Sequence, residues 1–163
     1  GKLSRMERDE ETGADADFPL RQNGTYFSGG AGLSGTASDY LRFMNAILNK
    51  GSLGEAGIVN MEMAEYFYEN QIGDLRVGRD GFSYGFMITL PDGLLDFGRV
   101  PGRLSWGGLF QTSFWIDPQR DLTVVLLTQV FPSAHQDELY QAFERKVNTA
   151  LQSVDSELLT PIN

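Results

Sequence analysis

Hydrophobic positions along the chain change period several times, and each change marks an element. Ala37, Tyr40, Leu41, Met44, Ile47 and Leu48 fall at i, i+3, i+4, i+7, i+10 and i+11. That spacing is one apolar stripe of an α-helix. Thr36 stands where an N-cap is needed, with Asp39 three residues on to close a capping box, and Gly51 is placed to end the helix at C′. Asn60 caps a second helix running to about Glu69. From Phe82 to Leu90 the period drops to two, with Phe82, Tyr84, Phe86 and Ile88 on one side and Ser83, Gly85 and Thr89 on the other. This predicts a strand, followed by a Pro91-Asp92-Gly93 hairpin turn and a short return segment over 94–100.

The densest pattern lies between Gly102 and Gln129, which reads as three antiparallel strands. Phe114 and Ile116 share a face, and Trp115 takes the other. Asp117-Pro118-Gln119-Arg120-Asp121 is a turn in which Pro118 presets φ and the Asp117 side chain bonds backbone N–H groups ahead of it. Leu122 to Leu127 is apolar on both faces around one Thr, which predicts a central strand. Trp106-Gly107-Gly108 breaks this richness. Paired glycines inside a strand mark a place where a ligand or another backbone comes close. A last helix follows a Pro132–Gln136 break, with Ser133 and Gln136 as its capping box. Its predicted buried face is Leu139, Phe143, Val147, Ala150, Leu151 and Val154.

Composition narrows the function classes. The 163 residues carry a net charge of −9, so no nucleic-acid partner is expected, because phosphate binding needs a basic surface. There is no cysteine and one histidine. Thiolate metal sites are excluded, no carboxylate ligand spacing suggests another, and no cofactor is implied. His135, in the first turn of the last helix, reads as surface. No apolar run approaches the ~18 residues of a membrane span, and no signal-peptide pattern opens the chain. Gly1 in place of Met suggests a processed or excised chain. Residues 1–25 are polar and acidic, which reads as a flexible lead-in. The expected organisation is therefore 1–25 lead-in, 26–154 folded domain and 155–163 tail. The glycine-rich Ser28–Gly35 stretch has no following Lys and lacks the GxGxxG spacing, so it reads as a tight turn and not a phosphate cradle.

Four stretches taken together resemble one family: Gly29–Phe43, Gly81–Phe86, Ser105-Trp106-Gly107-Gly108, and Phe114–Pro118 with Leu122–Gln129. Their order and spacing resemble the C-terminal part of the serine β-lactamase and penicillin-binding-protein superfamily, nearest the class C β-lactamase-like proteins and family VIII carboxylesterases. The resemblance implies an α+β fold: an antiparallel sheet of about four strands, flanked by the C-terminal helix and by helices from the first half. It also implies acyl-enzyme chemistry on an ester or β-lactam, and a bacterial protein of periplasm or cytoplasm. Trp106-Gly107-Gly108 matches the family's third motif. By that resemblance Trp106, Gly107 and Gly108 line the substrate, and the Leu109 backbone N–H is an oxyanion-hole donor. The Trp in place of a Lys favours esters over penicillins.

Ser-x-x-Lys, the family's nucleophile and base, occurs nowhere in these residues. Tyr68-Glu69-Asn70 follows the glycine-rich stretch, whereas the family's Tyr-x-Asn precedes it. The expectation is thus a C-terminal portion, inactive alone, whose partner is the N-terminal part of the same protein. An incomplete sheet would expose an edge and favour dimerisation or strand exchange. The alternative is a non-catalytic penicillin-binding-like or interaction module.

Overall fold

The computed structural model describes residues 10, 29–30, 33–93, 96–131 and 134–158. The acidic lead-in, apart from Glu10, lies outside these residues, as do Ser133 of the proposed capping box and part of the glycine-rich stretch. The architecture is α+β. Helix α1 (Ala37–Leu48) leads to a small hairpin of β1 (Ser52–Leu53) and β2 (Ala56–Gly57), then α2 (Met61–Glu65) and a 3-10 turn over Tyr66–Tyr68. The main sheet follows: β3 (Gly81–Phe82), β4 (Met87–Ile88), β5 (Leu104–Gly108), β6 (Thr112–Asp117) and β7 (Leu122–Leu126). Helix α3 (Gln136–Leu158) closes the described chain. The five strands are antiparallel and pair in sequence order. Among the described residues, no helix is long and apolar enough to cross a membrane.

The caps form as their residues dictate. Thr36 Oγ1 accepts from the Asp39 N–H and Asp39 returns a bond to the Thr36 N–H, so both orphan donors are satisfied. Asn60 Oδ1 accepts from the Met63 N–H at 2.8 Å. The end of α1 differs from expectation by one residue. Lys50 takes the left-handed position (φ 56°), and Gly51 follows at C″, its N–H donating to the Ala46 carbonyl at 2.7 Å. This is a Schellman ending. Gly51 is nonetheless required, because a Cβ there would meet the Val59 carbonyl at 2.4 Å.

The core lies between α1 and the sheet. Met44 and Ile47 meet Leu104, Phe114, Ile116, Phe86 and Ile88, all buried. Burying one such side chain contributes about 1.5–3 kcal/mol. Ala37, expected in the stripe, is exposed at the helix start. The opposite face of the sheet carries α3, where Phe143 packs edge-on to Trp115. The expected stripe is half-buried at Leu139, Phe143, Val147 and Leu151, whereas Ala150 is exposed, the Val154 side chain lies outside the described residues, and the one fully buried residue of α3 whose side chain is described is Glu144.

Two further expectations change. The predicted single strand 82–90 is a hairpin, β3 pairing with β4 as Gly81↔Ile88 and Phe82↔Met87. Gly85 stands at φ +82°, and the Ser83 N–H donates to the Phe86 carbonyl at 2.7 Å, so turn chemistry reverses a chain that alternation alone would extend. The apolar strand β7, expected to be central, is the last strand of the sheet, paired only with β6 among the described residues. Its residues are half-buried throughout. The turn feeding it forms as expected: Asp117 Oδ1 accepts from the N–H groups of Gln119 and Arg120.

Candidate active site

The hairpin of β5 and β6 decides what the Trp-Gly-Gly residues can do. β5 pairs with β6 along its whole length, from Leu104↔Ile116 to Gly108↔Thr112. On its other side it pairs with β4 only through Leu104 and Ser105. Trp106, Gly107 and Gly108 therefore have one edge without a strand partner among the described residues.

The connection between β5 and β6 is a three-residue loop, Leu109-Phe110-Gln111. The Gln111 N–H closes the turn onto the Gly108 carbonyl at 3.1 Å, with Gln111 left-handed at φ 58°. This tip is held from several sides. Thr128 Oγ1 donates to the Phe110 and Gln111 carbonyls, the Val130 N–H to the Phe110 carbonyl, and Tyr140 Oη to the Thr112 carbonyl at 2.9 Å. Leu109 stands just past the last paired residues and is 46% exposed. Its N–H takes no hydrogen bond among those of the described residues.

Trp106 is 45% exposed, its indole meeting the Phe82 ring edge-on at 5.0 Å. Of the two glycines, Gly107 is required by the fold itself, because backbone crowds it. A Cβ on Gly107 would lie 2.8 Å from the Thr112 carbonyl oxygen, and one on Gly108 would lie 2.6 Å from Thr112 Oγ1. Their smallness therefore serves the close approach of β6, whatever else passes along the free edge.

A cleft of about 520 Å³ opens beside these residues. Met87, Phe131, Trp106 and Leu109 supply apolar surface, and Ser105, Ser113 and Tyr140 supply hydroxyls. Its floor is ionic. Arg103 Nη2 donates to Glu144 Oε1 at 2.7 Å, and Arg99 gives Nε and Nη2 to the same carboxylate at 3.2 and 3.1 Å. Arg103 also lies over the Trp115 ring, its Cζ 4.4 Å from the centroid. Burial pushes the Arg103 guanidinium below its usual pKa, and the Glu144 carboxylate opposes that shift.

The sequence reading passed over Arg99, Arg103, Tyr140 and Glu144. Tyr140 and Glu144 are spaced i, i+4 on one face of α3, beside Phe143 and Val147. A carboxylate on an otherwise apolar face is the signal that could have found them. Tyr68 Oη donates to the Ile47 carbonyl and the Asn70 side chain organises residues 72, 73 and 82, so this Tyr-x-Asn braces the fold. His135 is exposed, 3.3 Å from the exposed Glu138.

The family model described as Beta-lactamase matches residues 2–148. This chain belongs to the beta-lactamase family. Esterase EstB of Burkholderia gladioli is 35% identical over 112 residues, which is 64% of this chain and 26% of that relative. The matched stretch thus spans about a quarter of the relative's length. Both matches agree with an α+β fold from a family of serine hydrolases.

Proposed function

We propose that these residues form the oxyanion side of an ester-hydrolysing site whose attacking serine and its lysine are carried by another segment of the same protein. The observation that carries the reading is the half-open β5. Its Trp106–Gly108 edge has no β4 partner, and the Leu109 N–H lies beyond the last pairing, beside the cleft. Here a serine hydroxyl would add to the ester carbonyl while its proton passes to the lysine. The Leu109 N–H and the serine's own N–H would hold the resulting oxyanion, and its collapse, with the lysine returning the proton to the leaving oxygen, would expel the alcohol and leave an acyl-enzyme. Trp106 in place of a cation at the third motif supports a carboxylic ester over a penicillin as substrate.

Two observations support a nucleophile outside these residues: the absence of Ser-x-x-Lys and the edge of β7, which has no partner beyond β6 among the described residues. An apolar edge strand pairs readily with a further strand, here one from the segment bearing the nucleophile or from a second copy. The chain alone is expected to release no p-nitrophenol burst from p-nitrophenyl butyrate. Turnover is expected once it is joined to a segment bearing Ser-x-x-Lys. A burst from the chain alone would overturn the placement of the nucleophile. A non-catalytic binding module is favoured by the β7 edge alone, and absence of turnover in the joined protein would support it.

A further inference from the structure

The floor of the cleft holds more positive than negative charge. Arg99 and Arg103 share one carboxylate, Glu144. Asp117, whose charge also acts on Arg103, is itself paired with Arg120. One guanidinium charge is thus left over at the floor, in a chain whose net charge is −9. Of the two arginines, Arg103 is sealed in, and its Nε has no hydrogen-bond partner among the described residues. Arg99 is the more open, with its side chain 19% exposed in the cleft wall. Its Nε and Nη2 are committed to Glu144, which leaves Nη1 as the donor available to a ligand. Apolar groups lie elsewhere along the same wall: Met87, Phe131, Trp106 and Leu109.

An excess guanidinium at the floor and an apolar lining match a ligand with a single negative head and a hydrocarbon body. We propose that the cleft binds an amphipathic monocarboxylate, its carboxylate on Arg99 Nη1 and its apolar tail along Trp106 and Phe131. Binding itself needs no nucleophile and can be measured on this chain.

The probe is octanoate, followed by the fluorescence of exposed Trp106 and compared with octanol, which has the same number of carbons, a slightly longer tail and no charge. Octanoate is expected to saturate the signal and to bind roughly tenfold or more tightly than octanol, the size of one charge-assisted contact. Arg99→Gln is expected to abolish that difference, leaving octanol binding unchanged, and Arg99→Lys to retain most of it. Equal binding of octanoate and octanol would overturn the proposal, as would an unsaturable octanoate signal or an unaltered preference in Arg99→Gln. Should Arg99→Gln fail to fold, the octanoate-to-octanol ratio and the Arg99→Lys variant decide the matter. Because this test involves no turnover, its failure is separate from failure of the hydrolase reading.

Discussion

Arg103 and Glu144 meet at 2.7 Å, one just before β5 and the other within α3, and each is only 3% exposed. This ion pair, with Arg99 on the same carboxylate, is the polar junction between helix and sheet on the face away from the core. Breaking a buried pair by removing one partner leaves the other charged and uncompensated. Glu144→Gln is therefore expected to cost about 3 kcal/mol, read as a lowered urea midpoint. Replacing Arg103 and Glu144 together with Met should cost less than Glu144→Gln alone. A double replacement worse than the single would contradict this account.

The glycines of the Trp-Gly-Gly stretch give a second test. Gly107→Ala places a methyl 2.8 Å from a backbone oxygen that cannot swing aside. A loss of about 1–3 kcal/mol is expected by chemical denaturation, with no ligand present. Gly57→Ala is the control. Its Cβ would meet nothing closer than 3.9 Å, and its stability should be unchanged or slightly raised.

The two tryptophans should report separately. Trp106 is exposed, whereas Trp115 is buried beneath Arg103 and Phe143. Acrylamide should quench one component of the emission readily and the other poorly. Trp106→Phe should remove the quenchable component and leave a blue-shifted, protected spectrum. Equal quenching before and after the substitution would place the Trp106 indole elsewhere.

Tyr68 couples stability to alkaline pH. Burial pushes its hydroxyl up to about 12, against an ordinary value of 10.0. Between those values the unfolded chain has lost a proton that the folded chain keeps. Stability is fully present below pH 10 and falls as pH rises toward 12. The group is partly solvated, so the loss is expected to be about 1–2 kcal/mol. Urea midpoints at pH 9 and pH 11.5 should show it, and Tyr68→Phe should flatten the difference. An unaltered slope in that variant would mean that another group carries the alkaline loss.

Local chemistry was the legible part of the fold. The Thr36 and Asn60 caps, the Asp117 turn, the α1 stripe and the opposed faces of Phe114 and Trp115 each depend on residues close in sequence. Where two local signals competed, periodicity misled. Residues 82–90 alternate as a strand does, yet Ser83 and Gly85 turn the chain between Phe82 and Met87. The stripe of α3 likewise concealed Glu144, because hydropathy cannot show that two arginines from around β5 will meet it. Of the candidate site, Trp106 through Leu109 stood out in sequence as a motif, whereas the cleft and its ionic floor did not.

By itself the sequence determined the class of fold, the family and the position of the Trp-Gly-Gly stretch, because these follow from short-range periodicity, turn residues and a motif a few residues long. Only the tertiary structure decided that β4 stops pairing with β5 at Ser105, that β7 ends the described sheet, and that Arg99, Arg103 and Glu144 converge beneath the cleft. The ion pairs beneath the cleft join residues about 40 or more apart, and only packing α3 against the sheet and pairing the strands in register brings such partners together.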